Sequence, residues 1–322
     1  MKKIIVVVAL VIVVVVASLI SYVKLALPDV GEAENIKIEY TPERIARGAY
    51  LANAVAACMD CHSTRDWSKF GGPLVPGTLG QGGEIFSQEY GFPGKYISKN
   101  ITPFGISTWS DGELFRAITS GVNKDGKALF PVMPHPAYGK LDKEDVYDII
   151  AYIRSLPSIE KVCDESESDF PMNIIINTIP KKAEFSTRPA NTDRIAYGKY
   201  LFTMASCNEC HTKQDKGQPI EGMELAGGFE FPLFTGGIVR SANITPDKET
   251  GIGNWDEQSF VARFKSYSDS SYVPAKIEKG QYNSVMPWMM YGQMKEDDLK
   301  AIYAYLQTLK PIKNAVVKFS VN

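Results

Sequence analysis

Residues 44–157 can be laid over residues 194–310 with the same landmarks in the same order. Arg44-Ile45-Ala46-Arg47-Gly48-Ala49-Tyr50-Leu51 corresponds to Arg194-Ile195-Ala196-Tyr197-Gly198-Lys199-Tyr200-Leu201. A Cys-x-x-Cys-His stretch follows in each copy, Cys58 to His62 and Cys207 to His211. Asn100-Ile101-Thr102-Pro103 then matches Asn243-Ile244-Thr245-Pro246, Trp109 matches Trp255, and Met133-Pro134 matches Met286-Pro287. Tyr138-Gly139 pairs with Tyr291-Gly292, and Ala151-Tyr152 with Ala304-Tyr305. An internal repeat of this kind constrains the architecture before any element is assigned: one fold, built twice in tandem.

The pentapeptide carries specific chemistry. On a helical turn, residues three apart share a face, so two thiols reach the two vinyl groups of one porphyrin. The His one residue on points the same way and sets its imidazole under the iron. This is the attachment pattern of c-type haem, with Cys58, Cys61, Cys207 and Cys210 as thioether sites and His62 and His211 as iron ligands. A lone Cys-x-x-Cys also serves zinc or a thioredoxin-like redox pair. A zinc site would have to pair two motifs about 150 residues apart, and no βαβ pattern surrounds either.

The sixth iron ligand decides the function. The chain has three histidines, and the third, His135, stands opposite Trp288 in the repeat. Met133 and Met286 align with each other, and a thioether suits haem iron and raises its potential. Met289, Met290 and Met294 also lie in the second copy, so Met286 rests on the alignment. A methionine is otherwise ordinary core filling. A His/Met pair closes both axial positions and leaves electron transfer as the iron's task. Cys163 is left without a partner, an inert thiol or else a thiolate ligand.

The fold expected is mainly α and loop-rich: two tandem domains over 40–157 and 194–312, joined by a linker over 158–193. Apolar residues recur at helical spacing before each Cys-x-x-Cys-His, and a last helix starts near Asp142 and ends before Pro157. In the linker, Phe170 to Ile176 is apolar and expected to pack against a domain. Residues 1–27 read as a membrane anchor: Lys2 and Lys3 precede an apolar run from Ile4 to Ile20. That run exceeds a signal-peptide core and approaches the length of a spanning helix, so an uncleaved anchor is preferred to a cleaved signal or a buried helix. The lysines would stay in the cytoplasm. A net charge of −2 gives no basic face for nucleic acid.

With these motifs, residues 40–310 resemble class I c-type cytochromes in tandem. The Asn-Ile-Thr-Pro, Gly-Ile-x-x-Trp and Met-Pro-x-x-x-Tyr-Gly stretches resemble the cytochrome c subunits of membrane-bound alcohol, aldehyde and gluconate dehydrogenases. Those subunits carry three haem domains where this chain offers two. The resemblance implies two covalent haem c groups, an exported chain with its haems on the periplasmic side of the cytoplasmic membrane, and electron flow from a quinoprotein or flavoprotein. It implies that Gly48 with Tyr152, and Gly198 with Tyr305, mark the crossing of first and last helices. It also implies that Trp109 and Trp255 donate to haem propionates or serve as core aromatics. Asn100 and Asn243 do likewise or cap a turn, and the Pro73 carbonyl accepts from the axial His. The expected function is a membrane-anchored dihaem carrier between a dehydrogenase or quinol-oxidising partner and a respiratory acceptor, with no catalytic residues of its own. Two others compete: a dihaem redox enzyme, peroxidase-like or thiosulfate dehydrogenase-like, with one open or Cys-ligated iron, and an assembly subunit of a respiratory complex.

Overall fold

The computed structural model describes residues 1–215 and 217–321. It opens with a helix over Lys2–Leu25, 24 residues with none buried. At 1.5 Å per residue this spans about 36 Å, against about 30 Å of bilayer hydrocarbon. By length and composition the helix can cross a membrane.

Each half of the remaining chain contains a first helix crossed by a last one. In the N-terminal half, Thr41 caps the helix Pro42–Tyr50, its Oγ1 accepting from the Arg44 N–H at 3.3 Å, and Pro42 starts the first turn. The helix widens into a π turn over Leu51–Val55. Lys143–Ser155 returns across it, capped by the Asp142 carboxylate, which accepts from the Glu144 N–H at 2.9 Å. The C-terminal half repeats the crossing with Arg194–Met204 and Glu296–Gln307. At both crossings the backbones touch. A Cβ on Gly48 would lie 1.8 Å from the Asp148 carbonyl oxygen and 2.9 Å from the Tyr152 Cβ; one on Gly198 would lie 1.9 Å from the Ala301 oxygen. Only glycine fits there. The approach of Gly48 to Tyr152 is the one the resemblance implied, whereas the atoms nearest Gly198 belong to Ala301 and Ile302.

Between first and last helix the chain is loop-rich. A middle helix stands in each half, Asp111–Ser120 with a Ser110–Glu113 capping box and Glu257–Lys265 capped by Asp256. Ile85–Phe86 and Gly94–Ile97 pair antiparallel, and Glu167–Ser168 of the connector joins them; Glu230–Pro232, Ile238–Arg240 and Phe319–Ser320 form a second three-stranded sheet. The apolar core runs through both halves, with Leu51, Val55, Val146 and Ile150 on one side and Leu201, Leu299, Ile302 and Leu306 on the other.

The connector departs from expectation. Its short helix Met172–Ile175 and the turn Ile176–Thr178 lie beside the C-terminal end of the Lys2–Leu25 helix, where Asn177 Nδ2 donates to the Val23 carbonyl at 3.2 Å. Phe170 stays 79% exposed. The stretch thus lies against a helix whose own apolar residues are exposed.

Candidate functional site

Each Cys-x-x-Cys-His stretch forms a single helical turn, Cys58–Cys61 and Cys207–His211. The residue before each turn breaks from the preceding helix into the left-handed region: Ala57 at φ 49° and Ser206 at φ 53°. Neither is glycine, so each conformation carries steric strain that the surrounding packing holds in place. The same strain at the same point in both halves redirects the chain into the pentapeptide. Tyr138 Oη donates to the Ala56 carbonyl at 3.1 Å, and Tyr291 Oη to the Ala205 carbonyl at 2.8 Å. These bonds satisfy carbonyls at the helix ends and tie each Met-Pro loop to its Cys-x-x-Cys-His turn.

The histidines are oriented by backbone. His62 Nδ1 lies 2.7 Å from the Lys99 carbonyl, and His211 Nδ1 lies 2.7 Å from the Ala242 carbonyl. A carbonyl only accepts, so Nδ1 carries the hydrogen and Nε2 presents its lone pair. Desolvation lowers the pKa of both rings, which favours the neutral form that a metal requires. The histidine carbonyls are held too, accepting from Gly82 and Gly227 N–H, each at 2.8 Å.

These acceptors correct the Pro73 expectation, and the asparagines take the second of the two roles open to them. The Pro73 carbonyl takes the Asp66 N–H at 2.9 Å and is not the partner of His62. Asn100 and Asn243, buried, spend their amides inside the protein. Asn100 Nδ2 donates to the Ile159 and Lys161 carbonyls at 2.8 and 2.9 Å, and its Oδ1 accepts from the Thr102 N–H and hydroxyl at 2.9 and 2.7 Å. Asn243 Nδ2 donates to Thr250 Oγ1 and the Ile312 carbonyl at 3.1 and 2.7 Å, with Thr245 in the role of Thr102. No amide hydrogen remains for a propionate. The asparagines instead brace the turn that follows Lys99 and Ala242, the residues whose carbonyls hold the histidines.

The four thiols are unpaired. Burial pushes Cys58, Cys61 and Cys207 up to about 12 and Cys210, the most exposed, to about 11. A thioredoxin-like pair would need the opposite shift. Among the described residues no three or more His, Cys, Asp or Glu side chains gather into a metal cluster, so the two Cys pairs do not combine into a zinc site.

Met133 and Met286 occupy matching loops. The Met133 carbonyl accepts from His135 N–H and the Met286 carbonyl from Trp288 N–H, each at 2.7 Å. Pro134 at φ −77°, ψ 53° and Pro287 at φ −76°, ψ 63° give the two loops one backbone course. Both methionines are half-buried at the edge of the core. The other candidates are engaged elsewhere: Met290 and Met294 are buried in the core, and a Cβ on Gly71 of the other half would touch Met289 Cε at 3.1 Å and Sδ at 3.5 Å. His135 is 1% exposed, with Nε2 3.3 Å from the Leu129 carbonyl and its ring packed on Gly121. Two thiols a turn apart, an imidazole whose Nε2 has no hydrogen-bond partner among the described residues, and a thioether on a tied loop are donors of the kind that fits a covalently held porphyrin iron.

Trp109 and Trp255 meet the last helices through backbone: their carbonyls accept from Arg154 Nη2 at 2.5 Å and Tyr303 Oη at 2.6 Å. Neither indole N–H bonds to another described residue. Cys163 Sγ lies 3.5 Å from the Gln81 carbonyl.

Residues 195–310 match the protein family described as cytochrome c. The chain is 28% identical over 284 residues to the cytochrome c subunit of alcohol dehydrogenase (quinone) of Gluconacetobacter polyoxogenes, covering 83% of this chain and 56% of the relative. It is 28% identical over 281 residues to the fructose dehydrogenase cytochrome subunit of Gluconobacter japonicus, covering 82% and 52%. A diheme cytochrome c-type protein of Cereibacter sphaeroides is 26% identical over 267 residues, covering 80% and 83%. The chain thus spans about half the length of the dehydrogenase subunits it matches, and the resemblance read from its motifs extends over most of its sequence.

Proposed function

We propose that this chain is a membrane-anchored dihaem c-type cytochrome, with two tandem cytochrome c domains, that passes electrons between a dehydrogenase or quinol-oxidising partner and a respiratory acceptor. The observation that carries this reading is the doubling of one ligand geometry: His62 and His211 each present Nε2 with Nδ1 fixed at 2.7 Å on a carbonyl. Cys58 and Cys61 would hold one haem covalently and Cys207 and Cys210 the other, and His62 with Met133 and His211 with Met286 would hold the two irons. Haem iron with two strong axial ligands supplies reversible one-electron chemistry. The residues' work is to keep the ligands in place: the carbonyls fix the imidazoles, the tyrosines fix the thioether loops, and the packed core excludes water. The similarity to cytochrome subunits of alcohol and fructose dehydrogenases favours a dehydrogenase as donor.

The Lys2–Leu25 helix supports anchoring in the cytoplasmic membrane, with the rest of the chain in the periplasm. Exposed Phe170 and Ile175 lie in the connector segment that meets the end of that helix, where a bilayer surface would cover them. Anchoring confines the carrier with its partners and raises their effective concentration.

The test is a haem count by alkaline pyridine spectra, followed by absorption spectra of oxidised, reduced and carbon monoxide-treated protein. Two low-spin haems per chain, with a Met–Fe(III) far-red band and no response to carbon monoxide, are expected. One haem, or a haem that takes up carbon monoxide in the parent protein, overturns the reading.

A further inference from the structure

Beside the first Cys-x-x-Cys-His turn lies a buried charged cluster without a counterpart at the second. Arg65 Nη1 donates to Asp60 Oδ2 at 2.7 Å, and its Nη2 donates to Glu84 Oε1 at 2.8 Å. The side chains are 7%, 9% and 9% exposed for Arg65, Asp60 and Glu84. Trp67 Nε1 donates to the same Glu84 oxygen at 2.8 Å, and its ring lies 4.2 Å under the Arg65 guanidinium. Phe234, from the C-terminal half, stacks on Trp67 at 5.1 Å and closes the cluster on that side.

The cluster is built into the ligand-bearing backbone. Asp60 lies inside the pentapeptide, between Cys58 and Cys61. Glu84 lies two residues beyond Gly82, whose N–H holds the His62 carbonyl at 2.8 Å. Two carboxylates face one guanidinium, and their formal charges sum to one negative charge. In the other half the aligned residues are Glu209, Gln214 and Phe229. Glu209 is exposed, Gln214 is uncharged and Phe229 is apolar. Water and salt screen an exposed carboxylate far more than a buried one.

We propose that the Asp60–Arg65–Glu84 cluster holds the haem at Cys58–His62 at a lower reduction potential than the haem at Cys207–His211. This rests on the dihaem reading above. Oxidation adds one positive charge at the iron, and a buried negative charge nearby stabilises that form in a low-dielectric setting. Burial, charge and hydrogen bonding around a haem are the protein's means of moving its potential. At equilibrium a single electron then resides mainly on the C-terminal haem.

The test is an optical potentiometric titration of the full chain in detergent, beside the haem count. Two resolved midpoints are expected. Glu84→Gln keeps an acceptor for Trp67 and removes the charge; the lower midpoint rises, the upper stays, and the gap narrows. Glu84→Asp keeps the charge and leaves the lower midpoint low. Asp60→Asn gives the same upward shift from the other carboxylate and serves if the Glu84 variant does not fold. The proposal is overturned if the midpoints coincide in the parent, or if the neutral variants move the upper midpoint, both, or neither. A haem count other than two defeats the dihaem reading instead.

Discussion

The Tyr50 hydroxyl donates to the Asp298 carboxylate, and the Tyr200 hydroxyl donates to the Asp145 carboxylate at 2.7 Å. Each tyrosine leaves its own half and ends at the first turn of the other half's last helix. Each hydroxyl also accepts a backbone N–H, from Lys295 and from Asp142, both at 3.1 Å. The halves are therefore joined by a reciprocal pair of polar contacts as well as by the shared core.

The two contacts differ in reserve. Asp145, with no exposed side-chain surface, also meets Arg47 at 3.2 Å and Arg188 at 2.5 Å. Among the described residues Asp298 has Tyr50 alone as a side-chain donor. Tyr50→Phe is expected to cost about 1–3 kcal/mol, the range for a buried acceptor left unsatisfied. Tyr200→Phe should cost less, since two guanidinium groups remain. Urea denaturation of both variants measures the order; equal losses would refute it.

Gly198→Ala places a methyl group 1.9 Å from the Ala301 carbonyl oxygen, where neither backbone has room to yield. Separation of the two helices should cost about 1–3 kcal/mol or more. Thermal melting reads this directly; a melting temperature equal to the parent's would refute the close approach.

Met133→Ala and Met286→Ala should each lower one midpoint potential and let one haem bind carbon monoxide. Met289→Ala, which removes packing on Gly71, should do neither. Carbon monoxide difference spectra separate the three; uptake by the Met289 variant alone would reassign the ligand.

Asn243→Ala removes four hydrogen bonds from the turn beside the Ala242 carbonyl. A loss of about 1–3 kcal/mol in stability is expected from the groups left unpaired. The His211 ring should also gain freedom, seen as a broadened ligand-field spectrum. An unchanged spectrum would show that the carbonyl is held without the asparagine.

The Asp256 carboxylate accepts from the Ser259 N–H at 2.7 Å, and hydrogen bonds from Ser259 hold its pKa below the ordinary carboxylate value. A folded-state pKa below the unfolded one gives stability that is present above about pH 3.9 and is lost as pH falls through the lowered value. Asp256→Asn keeps a cap and removes this dependence. The acid limb of its stability curve should be flatter than the parent's.

The parts legible in the sequence are those written in side chains at fixed spacing. Each pentapeptide forms a single helical turn, the last helix of the first half starts at Asp142 as its first-turn residues indicated, and Gly48 lies at the crossing the resemblance implied. The acceptors of His62 and His211 were missed because a backbone carbonyl leaves no mark in a sequence. The Pro73 assignment fails for the same reason, while of the two roles open to Asn100 and Asn243 the turn is the one their inward amides serve. Tyr50 and Tyr200 stood out as a matched pair, but their partners lie roughly 250 and 55 residues away, beyond any local pattern. The strain at Ala57 and Ser206 carries no residue signature either.

Since the imidazoles lean on main chain, positions 99 and 242 are free to drift. One carries a lysine and the other an alanine, yet both offer the same oxygen at the same 2.7 Å. No substitution by another amino acid deletes that atom. Where such a site occurs twice in one chain, the residue that supplies the oxygen can differ, as Lys99 and Ala242 do, while the hold on the imidazole stays the same.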